Sequence, residues 1–497
     1  MRYKWAFKRI ITLLFILIIL FIFCLSFYQN TENDEEIGYL DDFDEEKDKE
    51  FVKKYMESLS KNQAPIRKIT EKEADIDEMY WCFLSRPKNI EKSRKWTKMA
   101  GIEVYSAYYD DRYNSLYPNN NAIQILVMSN HSIEGIVNIF CNIYTSNTYS
   151  TTRGYIREIW QKGWDPRNIF QIPSLITCPI PKRMEGDEGM YVSLTRKRCM
   201  YQKTAVEVEN VMKAKKEEGK EKEMEKKDVA VCLKGLDYQN DISERLLEWI
   251  EFQYYFGADT IGLYYYYLTP ETMKVIKYHE SIGKLTVTQL TLSGNDPNDP
   301  IERSEFLKTN RPAKRRHELI PYNDCFYRHI HTHKYVLIID IDEVIIPIQH
   351  NNYGDLIREM EHKSSHKYPI SSLSARNVFK FQSNYSIYPQ YEYMLNNRKR
   401  SKKMNPNGEY GKSFSSTSTV ATVFNHFALH KLFPNVSKTW YFEKEQAIKL
   451  HYKSECPYES KNECHQLKYE IIDDMSLDKY DKDIRKRVKD IANIIGI

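Results

Sequence analysis

The chain has 497 residues, enough for two or three domains, and a formal net charge of only +4. So small an excess gives no field for a polyanion, and nucleic-acid partners are set aside. The class must come from the order of segments along the chain.

The first segment is an uncharged apolar run over residues 10–28. About nineteen helical residues cover roughly 28 Å, close to a bilayer's hydrocarbon thickness. Arg2, Lys4, Lys8 and Arg9 precede it, whereas Asp34, Glu35, Glu36, Asp41, Asp42, Asp44, Glu45 and Glu46 follow. That asymmetry orients the N-terminus into the cytosol. The run is too long for a typical signal-peptide core and no small-x-small site follows it, so it reads as an uncleaved signal anchor. The expectation is a single-pass type II membrane protein with a cytosolic tail at 1–9, an anchor at 10–28 and a lumenal remainder. Asn130, Asn384 and Asn435 head Asn-x-Ser sequons that accord with this address.

Residues 29–75 read as an acidic stem. An N-terminal lumenal subdomain is expected over 76–205, containing Glu103–Arg112 and a strand-like Ala122–Met128, then a charged linker over 206–228. The catalytic domain spans 229–470 and a tail spans 471–497. Of the nine cysteines, Cys24 lies in the apolar run. The others show no CxxC spacing of a zinc site. In an oxidising compartment several can be bridged. Cys456 and Cys464 are close enough for a local loop, and no other pairing is fixed.

From Val229 the texture alternates between strand and helix. Val229–Leu233 is an apolar run suited to a buried strand. Asp241 with Glu244 makes a capping box for a helix that Gly257 stops. Strand 260–267 follows, then a helix opened by Thr269 and Pro270, strand 285–289, a helix around 317–330 and strand 335–339. This rhythm predicts a doubly wound, mainly parallel α/β sheet, with ligands beyond the carboxyl ends of its strands.

There the sequence reads Asp340-Ile341-Asp342-Glu343. Strand alternation puts Asp340 and Asp342 on one face, where they repel unless a cation or proton lies between them. Mg²⁺ or Mn²⁺ binds through one or two carboxylates plus substrate phosphates, which suits a nucleotide-diphosphate ligand. An acidic turn ending a buried strand is the plain alternative. Another is an aspartate-nucleophile phosphatase of the haloacid-dehalogenase type, with Asp340 as nucleophile and Asp342 as general acid. Ser371, Lys380 and the Asp473–Asp474 pair would complete it. The βα units that precede the motif argue against this.

With those residues in view, the chain resembles glycosyltransferase family 92. The blocks that carry the resemblance run in order over roughly residues 100–460. They are Tyr105–Arg112, Cys232–Leu236, Glu248–Glu251 with Gly257, Asn323–Arg328, Asp340–Glu343 with Pro347, Lys412-Ser413 with His426, and His451–Lys453. Gly235 replaces a usual Pro, Phe424-Asn425 a Gly-Ile, and Lys453 an Arg. The resemblance implies a GT-A nucleotide-diphosphosugar transferase fold and a Golgi enzyme with its catalytic domain in the lumen. It further implies an inverting hexose transfer from a UDP-sugar, UDP-galactose first. The acceptor would be a glycan such as a fucosylated N-glycan core, and the metal would be Mn²⁺. A glycan-binding membrane protein that has lost turnover is the remaining alternative.

On this reading Asp340, Asp342 and His426 are the metal ligands, with Glu343 orienting them. Lys234, Asp324, Arg328, Asp340 and His451 would contact the donor. Lys234 also fits a solvated strand end, and Asp324 with Arg328 a helix ion pair. The run His329, His331, His333 places alternate imidazoles on one strand face, and zinc there is the lesser reading. The base that an inverting transfer requires is left open among acids such as Asp355, Glu392 and Glu409.

Overall fold

The structure is a computed structural model and describes residues 82–497, apart from 136, 166, 168, 212–224, 365–367, 382–392, 455 and 457. The tail, anchor and stem read over residues 1–75 lie outside the described residues, as do Asn384, Glu392 and most of the charged linker. Among the described residues no helix is long and apolar enough to cross a membrane. Asn130 and Asn435 are both exposed.

The first body is built of β1 (Asn89–Glu91), β2 (Thr97–Met99), β3 (Ile102–Asp110), β4 (Ala122–Ser129), β5 (Ile139–Tyr144), β6 (Tyr149–Glu158), β7 (Ile172–Pro179), β8 (Tyr191–Thr195) and β9 (Thr204–Glu209). They pair in the order β1-β9-β8-β5-β6-β7-β4-β3-β2, and a parallel contact between β3 and β9 closes the sheet on itself. Closure removes most of the unpaired edge. Ile123, Ile125 and Val127 of β4 point into the interior with Val104 and Ile176. The alternate Leu126 and Met128 face outward onto the second body. That period of two sets β4 between two cores.

The second body carries β10 (Lys227–Asp237), β11 (Thr260–Tyr267), β12 (Leu285–Gln289), β13 (His333–Ile339), β14 (Glu343–Pro347), β15 (Ser372–Phe381), β16 (Lys399–Ser401) and β17 (Lys412–Ser416). Then come β18 (Val420–Val423), β19 (Ala428–Lys431), β20 (Trp440–Tyr441), β21 (Ala447–Lys453) and β22 (Ile471–Asp473). Its helices are α1 (Ser243–Tyr255), α2 (Pro270–Ser281), α3 (Pro300–Thr309), α4 (Arg311–His329), α5 (Tyr353–Ser364), α6 (Tyr393–Asn396), α7 (Cys464–Tyr469) and α8 (Asp478–Ile495).

The main sheet runs β12-β11-β10-β13-β17-β15-β21-β14. Its first four strands are parallel. Beyond β13 the sheet turns mixed: β17 is antiparallel to both β13 and β15, and β14 is antiparallel to β21. The doubly wound expectation therefore describes one half only. The cause is local, because the link from β13 to β14 is just Asp340–Asp342, far too short for a parallel crossover.

Strand alternation gives this sheet two faces. Val229, Val231, Leu233, Ile261, Leu263, Leu337 and Ile339 pack among α1, α2, α5 and α8. Ala230, Cys232, Tyr264, Val336 and Ile338 face α4 and the first body. Thr269 caps α2 by accepting from the Thr272 amide, and Gly257, at φ +92°, follows the end of α1. The capping box expected at Asp241 and Glu244 is displaced, since Ile242 is the N-cap of α1. Asp241 instead accepts from the Ser243 amide and the Thr272 hydroxyl, which fastens the starts of α1 and α2 together.

Four disulfides pair the eight described cysteines: Cys82–Cys199, Cys141–Cys178, Cys232–Cys325 and Cys456–Cys464. The third ties β10 to α4, and the fourth is the local loop expected from spacing.

Candidate active site

The four parallel strands follow the chain order third, second, first, fourth, so successive connections leave β10 and β13 in opposite directions. Ligand crevices in such sheets open at that divergence, beyond the carboxyl ends. Register pairs Leu233 with Ile339, so Lys234 and Asp340 are the next residues on either side of it. Lys234 Nζ lies 3.2 Å from Asp340 Oδ2 and 3.6 Å from Glu318 Oε1 of α4.

The acidic turn is fixed from below by Trp249 of α1. Its indole N–H donates to the carbonyls of Asp340 and Glu343 at 3.1 and 2.9 Å. Glu343 is buried and turned inward. One of its oxygens accepts from Lys449, the other from the Asp340 amide, and Lys412 stands 3.4 Å away. Lys412 is also 3.5 Å from Asp340, and Lys453 Nζ donates to Asp342 Oδ2 at 2.6 Å. The Nε2 of His451 lies 3.5 Å from both Asp342 and Glu343, its ring stacked on Phe379.

Burial works against ionising these carboxylates, but the cations overturn it. Lys234 and Lys412 hold Asp340 below the usual carboxylate range. His451 and Lys453 hold Asp342 well below it, and Lys412 and Lys449 lower Glu343. Burial, with Lys449 adding to it, lowers the pKa of His451 against the opposing pull of Glu343 and Asp342. The site is thus a set of ionised acids in a cationic frame. Lys412 and Lys449 have no exposed side-chain surface, while Lys234 and Lys453 are 25% and 33% exposed. Only the latter pair can meet a ligand without rearrangement.

A divalent cation is tested against these donors. Among the described residues no three His, Cys, Asp or Glu side chains form a ready-made metal cage. Two buried donors nonetheless lack a hydrogen-bond partner, Asp340 Oδ1 and the His451 ring. Carboxylate oxygens with one neutral imidazole fit a cation that completes its shell with substrate phosphates.

The family model of glycosyltransferase family 92 matches residues 227–488, more than half of the chain. The chain belongs to glycosyltransferase family 92.

No curated protein matches this family 92 chain significantly. Among solved structures, S. aureus TarS 1–349 in complex with UDP-GlcNAc is 14% identical, covering 47% of this chain and 61% of that one with a TM-score of 0.22. TarS 1–349 alone is 13% identical over 45% and 60%, with a TM-score of 0.23. The chain therefore spans about three fifths of those fragments, and at such TM-scores neither superposition carries an argument.

Of the residues singled out from sequence, the family 92 site brings together Lys234, Asp340, Asp342, Glu343 and His451. His426 does not join the carboxylates: its Nδ1 donates to the Gly411 carbonyl at 2.7 Å, and its ring lies 6.4 Å from Trp164. The imidazole against the acids is His451, which shares a strand face with Lys449. Asp324 and Arg328 are corrected likewise. Asp324 is fully buried and accepts from the hydroxyls of Tyr108 and Tyr264 at 2.7 Å each, with Arg328 3.6 Å away. This network joins α4 to the first body and leaves no oxygen for a donor. His331 lies 3.4 Å from Asp111, while His329 and His333 meet edge-on with ring centroids 4.8 Å apart, so the three do not converge.

The phosphatase reading falls with the family. Lys380 and Asp474, needed beside Asp340, are instead ion-paired to each other at 2.7 Å. Lys449, Glu318 and Asn425 were missed. A lone lysine inside Ala447–Leu450, two residues before a histidine, was the available signal for the first. Glu318 and Asn425 carried none, since their neighbours come from distant segments.

Proposed function

We propose that this family 92 enzyme transfers a hexose, galactose first, from a UDP-sugar to a glycan acceptor with inversion. The reading takes the fold as GT-A and the cation as Mn²⁺. It places the catalytic domain in the Golgi lumen, held by the 10–28 anchor, and takes a fucosylated N-glycan core as acceptor. The observation that carries it is the meeting of Lys234 and Asp340 where β10 and β13 diverge, inside a frame of Lys412, Lys449, Lys453 and His451. Four disulfides support an oxidising lumen.

The chemistry follows from charge. A UDP leaving group gains negative charge as the bond between the sugar's anomeric carbon and the diphosphate oxygen breaks, and dry, preset cations stabilise that charge most. Lys234 and Lys453 reach the diphosphate, while Lys412 and Lys449 hold Glu343 and preset the field. Asp342, Asp340 Oδ1 and the His451 ring would hold the cation, which supplies further charge neutralisation at the leaving phosphate. Lys453 meets phosphate as a point charge, without the fork an arginine offers. Of the three acids considered for the base, Asp355 is bound to Arg358 and Asn352 on the outer side of α5 and drops out. Glu409 lies in the turn just before Gly411 and Lys412, and it stays open for the base together with Glu392.

The test is nucleotide-sugar hydrolysis by the full-length chain in detergent, with Mn²⁺ or with EDTA. We expect UDP-galactose to turn over fastest, EDTA to abolish the activity, and Asp342→Asn to lower it by about a hundredfold or more. A faster sugar than galactose removes the donor assignment. Turnover in EDTA removes the metal, and indifference to every nucleotide sugar removes the transferase reading of the site.

A further inference from the structure

We propose that Trp164, carried by the first body, is the platform on which the acceptor sugar stacks. The inference rests on the transferase reading of the lysine-framed carboxylates. Trp164 sits in the connection between β6 and β7, outside the segment matched by the family model. A short chain of contacts leads to it from the acidic turn. Lys412, 3.5 Å from Asp340, donates to the Asn425 side chain, and the next residue, His426, presents its ring to the indole at 6.4 Å and 24°. Phe424 meets the same indole edge-on at 5.3 Å, and the Arg315 guanidinium lies 5.1 Å over it.

What sets Trp164 apart is its N–H. Trp96, Trp160 and Trp249 each donate to a backbone carbonyl. Trp164 is half-buried, and among the described residues its indole nitrogen has no acceptor. A large aromatic held by its neighbours, with a donor left toward solvent beside a charged crevice, matches the chemistry of a pyranose. The sugar's C–H face would lie on the side of the indole away from the Arg315 guanidinium, and a hydroxyl would accept from the N–H. Uncharged indole gives nothing to a diphosphate, so the lysines take the donor and Trp164 takes the acceptor. His426 is held in place on both sides, its Nδ1 donating to the Gly411 carbonyl at 2.7 Å and its Nε2 accepting from the Asn425 amide at 3.3 Å, so it keeps the wall beside the indole fixed.

The test uses the full-length chain, UDP-galactose and a released core-fucosylated N-glycan. Trp164→Ala should raise the acceptor KM by about fivefold to tenfold, the scale of one aromatic contact, while donor hydrolysis and donor KM stay at the parent values. Trp164→Phe, which keeps a stacking ring, should recover part of the loss. An unchanged acceptor KM in Trp164→Ala overturns the proposal, as does equal loss of donor hydrolysis in both variants. Glycan binding followed by isothermal titration calorimetry separates this from the underlying reading. If the parent binds the glycan and Trp164→Ala does not, yet no nucleotide sugar is hydrolysed, the platform stands and the transferase reading of the cluster fails.

Discussion

Glu343 shows how strongly single residues are committed at this site. It lies between Lys412 and Lys449, both without exposed side-chain surface, and it also accepts from the Asp340 amide. Removing its charge leaves the buried Lys449 ammonium without its ion-pair partner, while Lys412 keeps Asp340 at 3.5 Å, and breaking a buried pair from one side costs about 3–5 kcal/mol. Glu343→Gln should therefore lose about that much in urea-induced unfolding, whereas Glu343→Leu combined with Lys449→Leu should recover much of it. A Glu343→Gln protein as stable as the parent would show that these lysines do not depend on it. The same residue marks how far the sequence was legible. Asp340, Asp342 and Glu343 stood out because three acids end an apolar strand, and Lys234 because it follows one. The choice of His426 over His451 failed because spacing along the chain does not report strand register. Only the pairing of β14 with β21 brings His451 opposite Glu343.

At the scale of elements, local periodicity carried the parallel half of the sheet. The expected strand 260–267 and strand 285–289 coincide with β11 and β12, and Thr269 with Pro270 opens α2. Beyond Pro347 the sheet is assembled from short strands paired across long sequence distances, such as Phe379 with His451, and no local pattern announces that. One residue of β11 shows how closely these elements fit. A Cβ built on Gly262 would stand 2.6 Å from the Sγ of Cys325, whose bridge to Cys232 crosses this part of the sheet. Overpacking of this kind costs about 1–3 kcal/mol. Gly262→Ala should lower the unfolding midpoint accordingly and leave a larger fraction of molecules with Cys232 and Cys325 unbridged, read by thiol alkylation and mass spectrometry. An alanine variant that is fully bridged and as stable as the parent would mean that the helix moves aside freely.

For the molecule as a whole, the junction of α4 with β13 sets a response to acid. His329 ends the helix and His333 begins the strand, with only 7% and 4% of their surfaces exposed. Burial lowers the pKa of His329 to about 3 and that of His333 to about 4, with the neighbouring imidazole and Arg328 adding to the first. In the unfolded chain both return to about 6.5. Above that value neither state carries the proton, and these groups make stability independent of pH. Below it the unfolded chain takes up protons that the folded one refuses, so stability falls until the folded values are passed. At pH 5 each histidine then costs about 2 kcal/mol, and the two together about 4 kcal/mol. The site carboxylates, all lowered in the fold, contribute stability that is lost only at more acidic pH. The window between pH 6.5 and 5 therefore belongs to histidine. Urea midpoints measured at pH 7.5, 6 and 5 should decline across it in the parent, and the decline should shrink in a His329→Leu, His333→Leu double variant. A parent midpoint that is flat over that window would mean that water reaches both imidazoles in the folded protein.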